Sequence, residues 1–364
     1  MKKLGFGLMR LPMIGEEVDI EQTKQMVDVF MQNGFTYFDT AYGYLGGRSE
    51  KAVKTALVDR YPRDSFQLAT KLPAWAAKDE ASAKAMFDTS LERTGAGYFD
   101  YYLLHSLGAE RVKAFDRYGL WDYLQEKKQQ GLIRNLGFSF HDKAEVLDKI
   151  LTDHPEMDFV QLQINYADWE SERVQSRLCY ETAVKHGKPV IIMEPVKGGS
   201  LAKMPAKIAQ PFADYAPEAS QSSWAIRYAA SLEGVLMVLS GMSTLAQMED
   251  NVSFMKDFQP LSAEEADVIA KVCKRMAETD SVPCTNCRYC MDGCPKGVKI
   301  APIFNALNTY KIYDHLEGAK SGYRFATSKG GSADECIGCG ACESVCPQKI
   351  SIIETLRQAH ELLG

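Results

Sequence analysis

Two copies of one cysteine pattern constrain this chain more than any other feature. Cys284-x2-Cys287-x2-Cys290-x3-Cys294-Pro295 recurs as Cys336-x2-Cys339-x2-Cys342-x3-Cys346-Pro347. The chain holds ten cysteines in 364 residues, and none precedes Cys179. No apolar run of about eighteen residues exists, so no membrane span is expected. Met1-Lys2-Lys3-Leu4 leads into no long apolar region or small-residue cleavage site. These features predict a cytoplasmic protein. Thiols stay reduced there, so the cysteines read as metal ligands before disulfides. A zinc ribbon would need paired Cys-x2-Cys knuckles, not three evenly spaced cysteines plus Cys-Pro, twice over. Cys179 and Cys273 sit in helical patterns and read as small apolar residues.

The repeat resembles the run used by bacterial two-cluster ferredoxins. Three cysteines at two-residue gaps wrap a tight loop around one cubane face, and the proline after the fourth ends the loop. The resemblance implies two [4Fe-4S] clusters with crossed fourth ligands. Cys284, Cys287, Cys290 and Cys346 would hold one, and Cys336, Cys339, Cys342 and Cys294 the other. The stretch between the motifs is longer than a compact ferredoxin's. Pro302 to His315 reads as a helix, with Ile303, Leu307 and Tyr310 at i, i+4 and i+7. A second helix is expected from about Ser351, with Ile353, Leu356 and Leu363 on one side. Residues 280–364 are therefore expected to form a small, mostly α-helical ferredoxin-like domain, joined to the rest near Thr279 to Pro283.

Residues 1–279 carry a different signal. Eight short apolar, β-rich runs alternate with helical patterns: Leu4–Arg10, Phe35–Thr40, Phe66–Lys71, Phe99–His105, Ile133–Phe140, Phe159–Asn165, Pro189–Pro195 and Val235–Gly241. One intervening helix is expected from Ile20, opened by Asp19 with Gln22 three residues later, and closed by Gly34. Such alternation implies a parallel sheet with crossover helices, and eight repeats point to an α/β (β/α)8 TIM barrel. A doubly wound sheet would want G-x-G-x-x-G after its first strand. Gly5-Phe6-Gly7 lies inside that strand, with no third glycine in place. A hydrophobic fraction of 46% supports a large core, and a net charge of -6 gives nucleic-acid binding no support.

Asp39 falls near the end of the second run, Lys71 ends the third and His105 the fourth. Barrel active sites are built at the carboxyl ends of strands, so the three would converge. Singly, Asp39 could cap a turn, Lys71 could be a solvated charge and His105 a core histidine. Together at matching depths they point to chemistry. Phe38-Asp39-Thr40-Ala41-Tyr42-Gly43-Tyr44, Ala69-Thr70-Lys71 and Leu103-Leu104-His105 resemble three signature segments of the aldo-keto reductase family. The opening Leu4-Gly5-Phe6-Gly7-Leu8-Met9-Arg10-Leu11-Pro12 is similar too. The likeness covers about residues 1–255, and the whole chain resembles members fused to a ferredoxin-like tail.

That resemblance implies a catalytic tetrad of Asp39, Tyr44, Lys71 and His105. Tyr42 is a rival proton donor by residue type, but the family's spacing selects Tyr44. A free phenol near pKa 10 is a reluctant donor, and Lys71 is expected to lower that value. Asp39 would hold Lys71, and His105 would orient a carbonyl. The resemblance also implies a nicotinamide cofactor, NADP or NAD. Ser139 and Gln161 match carboxamide positions, and Met193 stands where an aromatic ring often stacks. Gly241, Gln247 and Asn251 lie in the loop that would meet the adenosine phosphate, where the usual basic residues are missing at Gly241 and Gln247. Gly198-Gly199 suits either a phosphate approach or a plain turn. Trp75 could line the pocket.

The reading is an NAD(P)H-linked carbonyl reductase or alcohol dehydrogenase whose clusters exchange electrons with another redox centre. Its expected partners are a small carbonyl or alcohol substrate and a redox protein. A flavin would normally bridge hydride and single-electron chemistry, though no specific flavin motif is present. Two alternatives are an electron-transfer or redox-sensing adaptor with the barrel as scaffold, and an ordinary reductase with structural clusters.

Overall fold

The computed structural model describes residues 2–284, 288–346 and 348–364. Cys287 and Pro347 lie outside the described residues. Among the described residues there are ten strands: β1 (Leu4–Gly7), β2 (Met13–Ile14), β3 (Glu17–Val18), β4 (Tyr37–Asp39), β5 (Gln67–Leu72), β6 (Phe99–Leu107), β7 (Ile133–Phe140), β8 (Phe159–Gln163), β9 (Val190–Met193) and β10 (Val235–Gly241). All but β2 and β3 close into a parallel barrel in the order β1-β10-β9-β8-β7-β6-β5-β4. The short pair β2–β3 forms an antiparallel hairpin that the periodicity did not reveal. The closure rests on two pairings of β1, with Gly7 opposite Gly241 on one side and Asp39 on the other.

The strands are shorter than the apolar runs, and the differences have simple causes. The run expected to Arg10 stops at Gly7, because Leu8–Arg10 coils into a 3-10 turn once both neighbours have run out. Pro189 and Pro195, which lack a ladder donor, fall outside β9. The first long helix runs Ile20–Gln32. Asp19 Oδ1 accepts from the Gln22 amide at 3.0 Å, and Gly34 takes a φ of +76° just past the end.

The barrel interior is a packed layer of Tyr37, Ala69, Leu103, Phe159, Ile191 and Met237, all nearly fully buried. Two glycines make that packing possible. A Cβ on Gly5 would lie 2.7 Å from Leu239 and 2.9 Å from Met237, and one on Gly137 would lie 2.4 Å from the Phe159 carbonyl oxygen. A parallel barrel filled with side chains is a core, not a pore, so its chemistry is confined to the strand ends.

Two compact units emerge: Met1–Pro195 with Ala225–Leu261, and Val196–Trp224 with Ser262–Gly364. Within the second, Ala206–Tyr215 packs on Ala263–Ala277, and Arg275 Nη1 donates to the Lys207 carbonyl at 2.9 Å. The helix expected over Pro302–His315 is Ile300–Tyr313, with Ile303 and Leu307 buried. The final helix is Ile352–Leu363, and its buried face is Ile352, Leu356, Ala359 and Leu363. Ile353 therefore sits one position off the face expected for it. A further helix, Leu316–Thr327, packs on Ile300–Tyr313 and was not foreseen. Its buried positions are only Ala319 and Tyr323, too few to give a period. Among the described residues no helix is long and apolar enough to cross a membrane.

The close approach at Gly137 yields a direct test. Gly137→Ala drives a methyl into a backbone oxygen that cannot rotate away, and overpacking of this kind costs about 1–3 kcal/mol or more. Gly43→Ala, with nothing within 4 Å of the added carbon, is the neutral comparison. Urea unfolding followed by tryptophan fluorescence should show a lowered midpoint for the first variant only.

Candidate functional sites

At the carboxyl end of the barrel three strands deliver polar side chains to one point, two of them charged. Lys71, on β5, is fully buried, and so is Asp39 at the end of β4. The Lys71 ammonium donates to Asp39 Oδ1, to the Thr40 carbonyl at 2.8 Å, and to the Tyr44 hydroxyl at 3.3 Å. It also lies 4.9 Å from the Tyr44 ring centroid. Gln161 on β8 donates to the other carboxylate oxygen of Asp39 at 3.3 Å. All three donors of the ammonium are used, which is what a cation buried in a barrel requires.

Tyr44 is presented by an unusual turn. Leu45, Gly46 and Gly47 follow it with φ values of 52°, 65° and 87°. Leu45 adopts a conformation that favours glycine, and such strain tends to gather at functional positions. A second buried network holds the turn from behind. The Glu50 carboxylate accepts from Thr70 Oγ1 at 2.8 Å and from Arg93 Nη1 at 3.2 Å. Arg93 Nη1 also donates to the Tyr42 carbonyl at 3.0 Å, and its guanidinium lies 4.4 Å from the Tyr42 ring centroid. Tyr42 thus packs on Arg93, while Tyr44 meets Lys71.

His105 sits where β6 slips register, between Leu104 and Leu107, next to a left-handed Ser106. A bulge of this sort re-aims a side chain, and here it brings His105 to 5.8 Å from the Tyr44 ring and 5.3 Å from Trp75. The buried Nδ1 of His105 has no hydrogen-bond partner.

The electrostatics follow from burial and from Lys71. For Lys71, burial would lower the pKa, but Asp39 and Tyr44 outweigh it and hold the ammonium above its ordinary value. Burial raises the Asp39 carboxyl, and Lys71 offsets part of that rise. Tyr44 corrects the sequence reading. Lys71 does pull its pKa down, but burial is the larger effect, so the phenol stands above its ordinary value. Burial, then Lys71, His141 and Arg111, push His105 well below the usual histidine range. At neutral pH the site therefore holds a protonated tyrosine and a neutral histidine.

The candidate cofactor residues line the same end. Ser139 on β7 is buried, and its Oγ accepts from the Ser106 amide at 2.7 Å, which leaves its O–H to donate. Gln161 spends one N–H on Asp39 and keeps its carbonyl oxygen as an acceptor. One donor and one acceptor side by side are what a carboxamide needs. Met193 ends β9, half-buried against the barrel layer. Gly241 ends β10, exposed, and Gln247 and Asn251 lie on Leu245–Met255. Gln247 accepts from the Ser243 amide at 2.7 Å, and Asn251 donates to Ser240 Oγ at 2.8 Å, so both shape this loop. Arg10 was missed. Its carbonyl accepts from Ser243 Oγ at 2.7 Å, and its side chain runs beside Gly241. The only signal was its place in the opening segment, far from Gly241 in sequence.

In the second unit, Cys294, Cys336, Cys339 and Cys342 line one cavity, together with Val298, Ile300 and Leu356. That is the crossed set expected for one cluster. Cys284, Cys290 and Cys346 belong to the apolar core around it. Among the described residues no three His, Cys, Asp or Glu side chains converge on a single ion. A cubane does not need such convergence, because each thiolate takes its own iron. The two loops repeat in backbone detail. Arg288 and Gly340 occupy matching left-handed positions, as do Gly297 and Lys349. The Gly297 amide bonds the Cys294 carbonyl at 3.0 Å, and the Lys349 amide bonds that of Cys346 at 3.2 Å. The Val298 amide donates to Cys294 Sγ at 3.4 Å. Cys179 and Cys273 stay apart from all this, and burial pushes their thiols up to about 12 and about 11.

Comparison with known proteins finds a match for each of the two regions. Residues 3–274 match the model of the aldo/keto reductase family, and residues 283–351 that of the 4Fe-4S dicluster domain. An aldo-keto reductase of Mycolicibacterium vanbaalenii is 30% identical over 257 residues, covering 69% of this chain and 83% of the relative. One from Mycolicibacterium smegmatis is 32% identical over 139 residues, 38% of this chain, and the match spans only 45% of that relative's length. Among solved structures, an aldo-keto reductase from Bacillus halodurans in its holo form superposes with a TM-score of 0.61 at 25% identity, covering 74% of this chain and 91% of that one.

The buried pair can be taken apart. Asp39→Ala leaves the Lys71 ammonium without its counter-charge and should cost about 3–5 kcal/mol of barrel stability. The double variant Asp39→Leu/Lys71→Met should regain most of that loss, since an apolar pair of similar volume removes both charges. Denaturant midpoints of the two variants and the parent decide it.

Proposed function

The chain belongs to the aldo/keto reductase family, and on that premise we propose that it is an NAD(P)H-linked carbonyl reductase, or in reverse an alcohol dehydrogenase. In this reading its cysteine-rich tail holds two [4Fe-4S] clusters that exchange single electrons with a redox partner. The observation that carries the first part is the triangle of Lys71, Asp39 and Tyr44, with His105 beside it. The observation behind the second is the cavity shared by Cys294, Cys336, Cys339 and Cys342.

A reduced nicotinamide, when bound, supplies the hydride. The chain's own residues do the rest. His105, neutral, donates a hydrogen bond to the substrate oxygen and fixes its direction. As negative charge grows on that oxygen, Tyr44 passes its proton across, and the product is an alcohol. The phenolate left behind faces Lys71, whose charge Asp39 holds in place. Ser139 would donate to the carboxamide oxygen, and Gln161 would accept from its nitrogen. Met193 would cover the ring, and Gly241, Gln247 and Asn251 would shape the loop at the phosphate end. Arg10 brings to that loop the cation that Gly241 and Gln247 lack. In the same reading the junction between reductase and cluster domains lies near Thr279 to Pro283, and a reducing cytoplasm would suit the thiolates.

Three results are expected. Tyr44→Phe should lower carbonyl reduction by about a hundred to ten thousand fold with dinucleotide binding retained, while Tyr42→Phe changes little. Aldehyde assays under nitrogen test this, and wild-type turnover in Tyr44→Phe would end the reductase reading. The pH profile of kcat/KM for reduction should be flat from about 6 to 9, because Tyr44 titrates above that window and His105 below it. Anaerobically purified protein should contain about eight irons, and Cys339→Ser should lose about half of them.

A further inference from the structure

We propose that the barrel's substrates carry an anionic group, a carboxylate or a phosphate, and that Arg111 binds it beside His105. This rests on the carbonyl-reductase reading and names the class of carbonyl compound the site selects.

Arg111 follows β6 by four residues, so the register slip that aims His105 also sets the path of this loop. The side chain is held on two sides. Its Nη1 donates to Ser106 Oγ, and its guanidinium carbon lies 4.3 Å from the centroid of Trp75. Trp75 is itself 5.3 Å from the His105 ring. Ser106 is buried, and its amide is anchored by Ser139 Oγ. A guanidinium fixed in this way loses little freedom when it takes up a ligand, and its planar fork suits two acceptor oxygens.

No carboxylate neutralises Arg111 among the described residues, although acidic side chains are near it in the chain. Glu110 is paired with Lys113 at 2.7 Å. Asp116 accepts from Trp121 Nε1 at 2.8 Å. Asp142 accepts from the amides of Ala109 and Lys143 at 2.9 and 2.8 Å. None of these carboxylates forms an ion pair with Arg111, whose pKa is shifted downward by burial alone. The positive charge of Arg111 is felt inside the site, where it helps depress both His105 and His141. Lys71 is no rival for the anion, because its three donors are already used.

The geometry assigns two roles to one substrate. Its carbonyl oxygen meets Tyr44 and His105, and its acidic group meets Arg111 on the Trp75 side. Hydride and proton still go to the carbonyl carbon and oxygen, so the anion is held without taking part in the reaction.

The test compares 4-carboxybenzaldehyde with its methyl ester on the holoenzyme with NADPH. Wild type should prefer the acid in kcat/KM by at least about tenfold, the worth of one charge-assisted hydrogen bond. Arg111→Ala should lower kcat/KM for the acid by about ten to a hundred fold, mostly through KM, and change the ester by less than about threefold. Arg111→Lys should restore part of the preference. Added salt should weaken the preference in wild type and in Arg111→Lys, and should leave Arg111→Ala unaffected. Equal losses for acid and ester, or a wild-type preference for the ester, overturn the proposal. If neither aldehyde turns over, the reductase reading has failed on its own account. Calorimetric titration with terephthalate then judges the anion site: binding that Arg111→Ala abolishes sustains it, and no binding by wild type refutes it.

Discussion

Everything at the mouth of the barrel depends on keeping one ammonium ion charged in a place that water does not reach. Lys71 is fully buried, and an isolated cation there would simply lose its proton. Asp39, the Thr40 carbonyl and the Tyr44 hydroxyl prevent that by taking its three donors. Breaking the set would leave a charge stranded, so the three segments are tied to one another more tightly than packing alone would tie them. The site's other groups take their state from this charge and from burial. His105 is kept neutral partly because Lys71 is near, and the tyrosine is kept from rising further for the same reason.

Much of this was legible in the sequence, for reasons that differ by element. The barrel could be read because buried parallel strands are short apolar runs, and their alternation with amphipathic helices leaves few other folds. The meeting of Asp39, Lys71 and His105 could be read because strand ends are where a barrel exposes side chains to a common space, while Tyr44, beyond its strand, came from the family resemblance. The grouping of Cys294 with Cys336, Cys339 and Cys342 came from the resemblance of the repeat to two-cluster ferredoxins, and those four side chains line one cavity.

What could not be read was set by tertiary contact. Arg10 reaches Gly241 across more than two hundred residues, and no local pattern announces such a meeting. The balance of effects on Tyr44 is another case. Sequence gives the identity of the charge beside it, but not how deeply the phenol is buried, and burial has the larger effect. The helix Leu316–Thr327 has too few buried positions for its period to stand out, and Ile353 missed its expected face because the last helix turned one residue further than its start suggested.

The paired left-handed residues in the cysteine loops carry a consequence of their own. At Gly340 and Gly297 the backbone turn falls on glycine, while at Arg288 and Lys349 it falls on a residue with a long cationic side chain. A non-glycine residue accepts that conformation at a cost of roughly 1–2 kcal/mol, so the repeat has kept its shape at positions where its chemistry has diverged. Each loop thus meets one of its two left-handed turns with glycine and the other with a strained residue, and the two copies bear that cost at opposite ends.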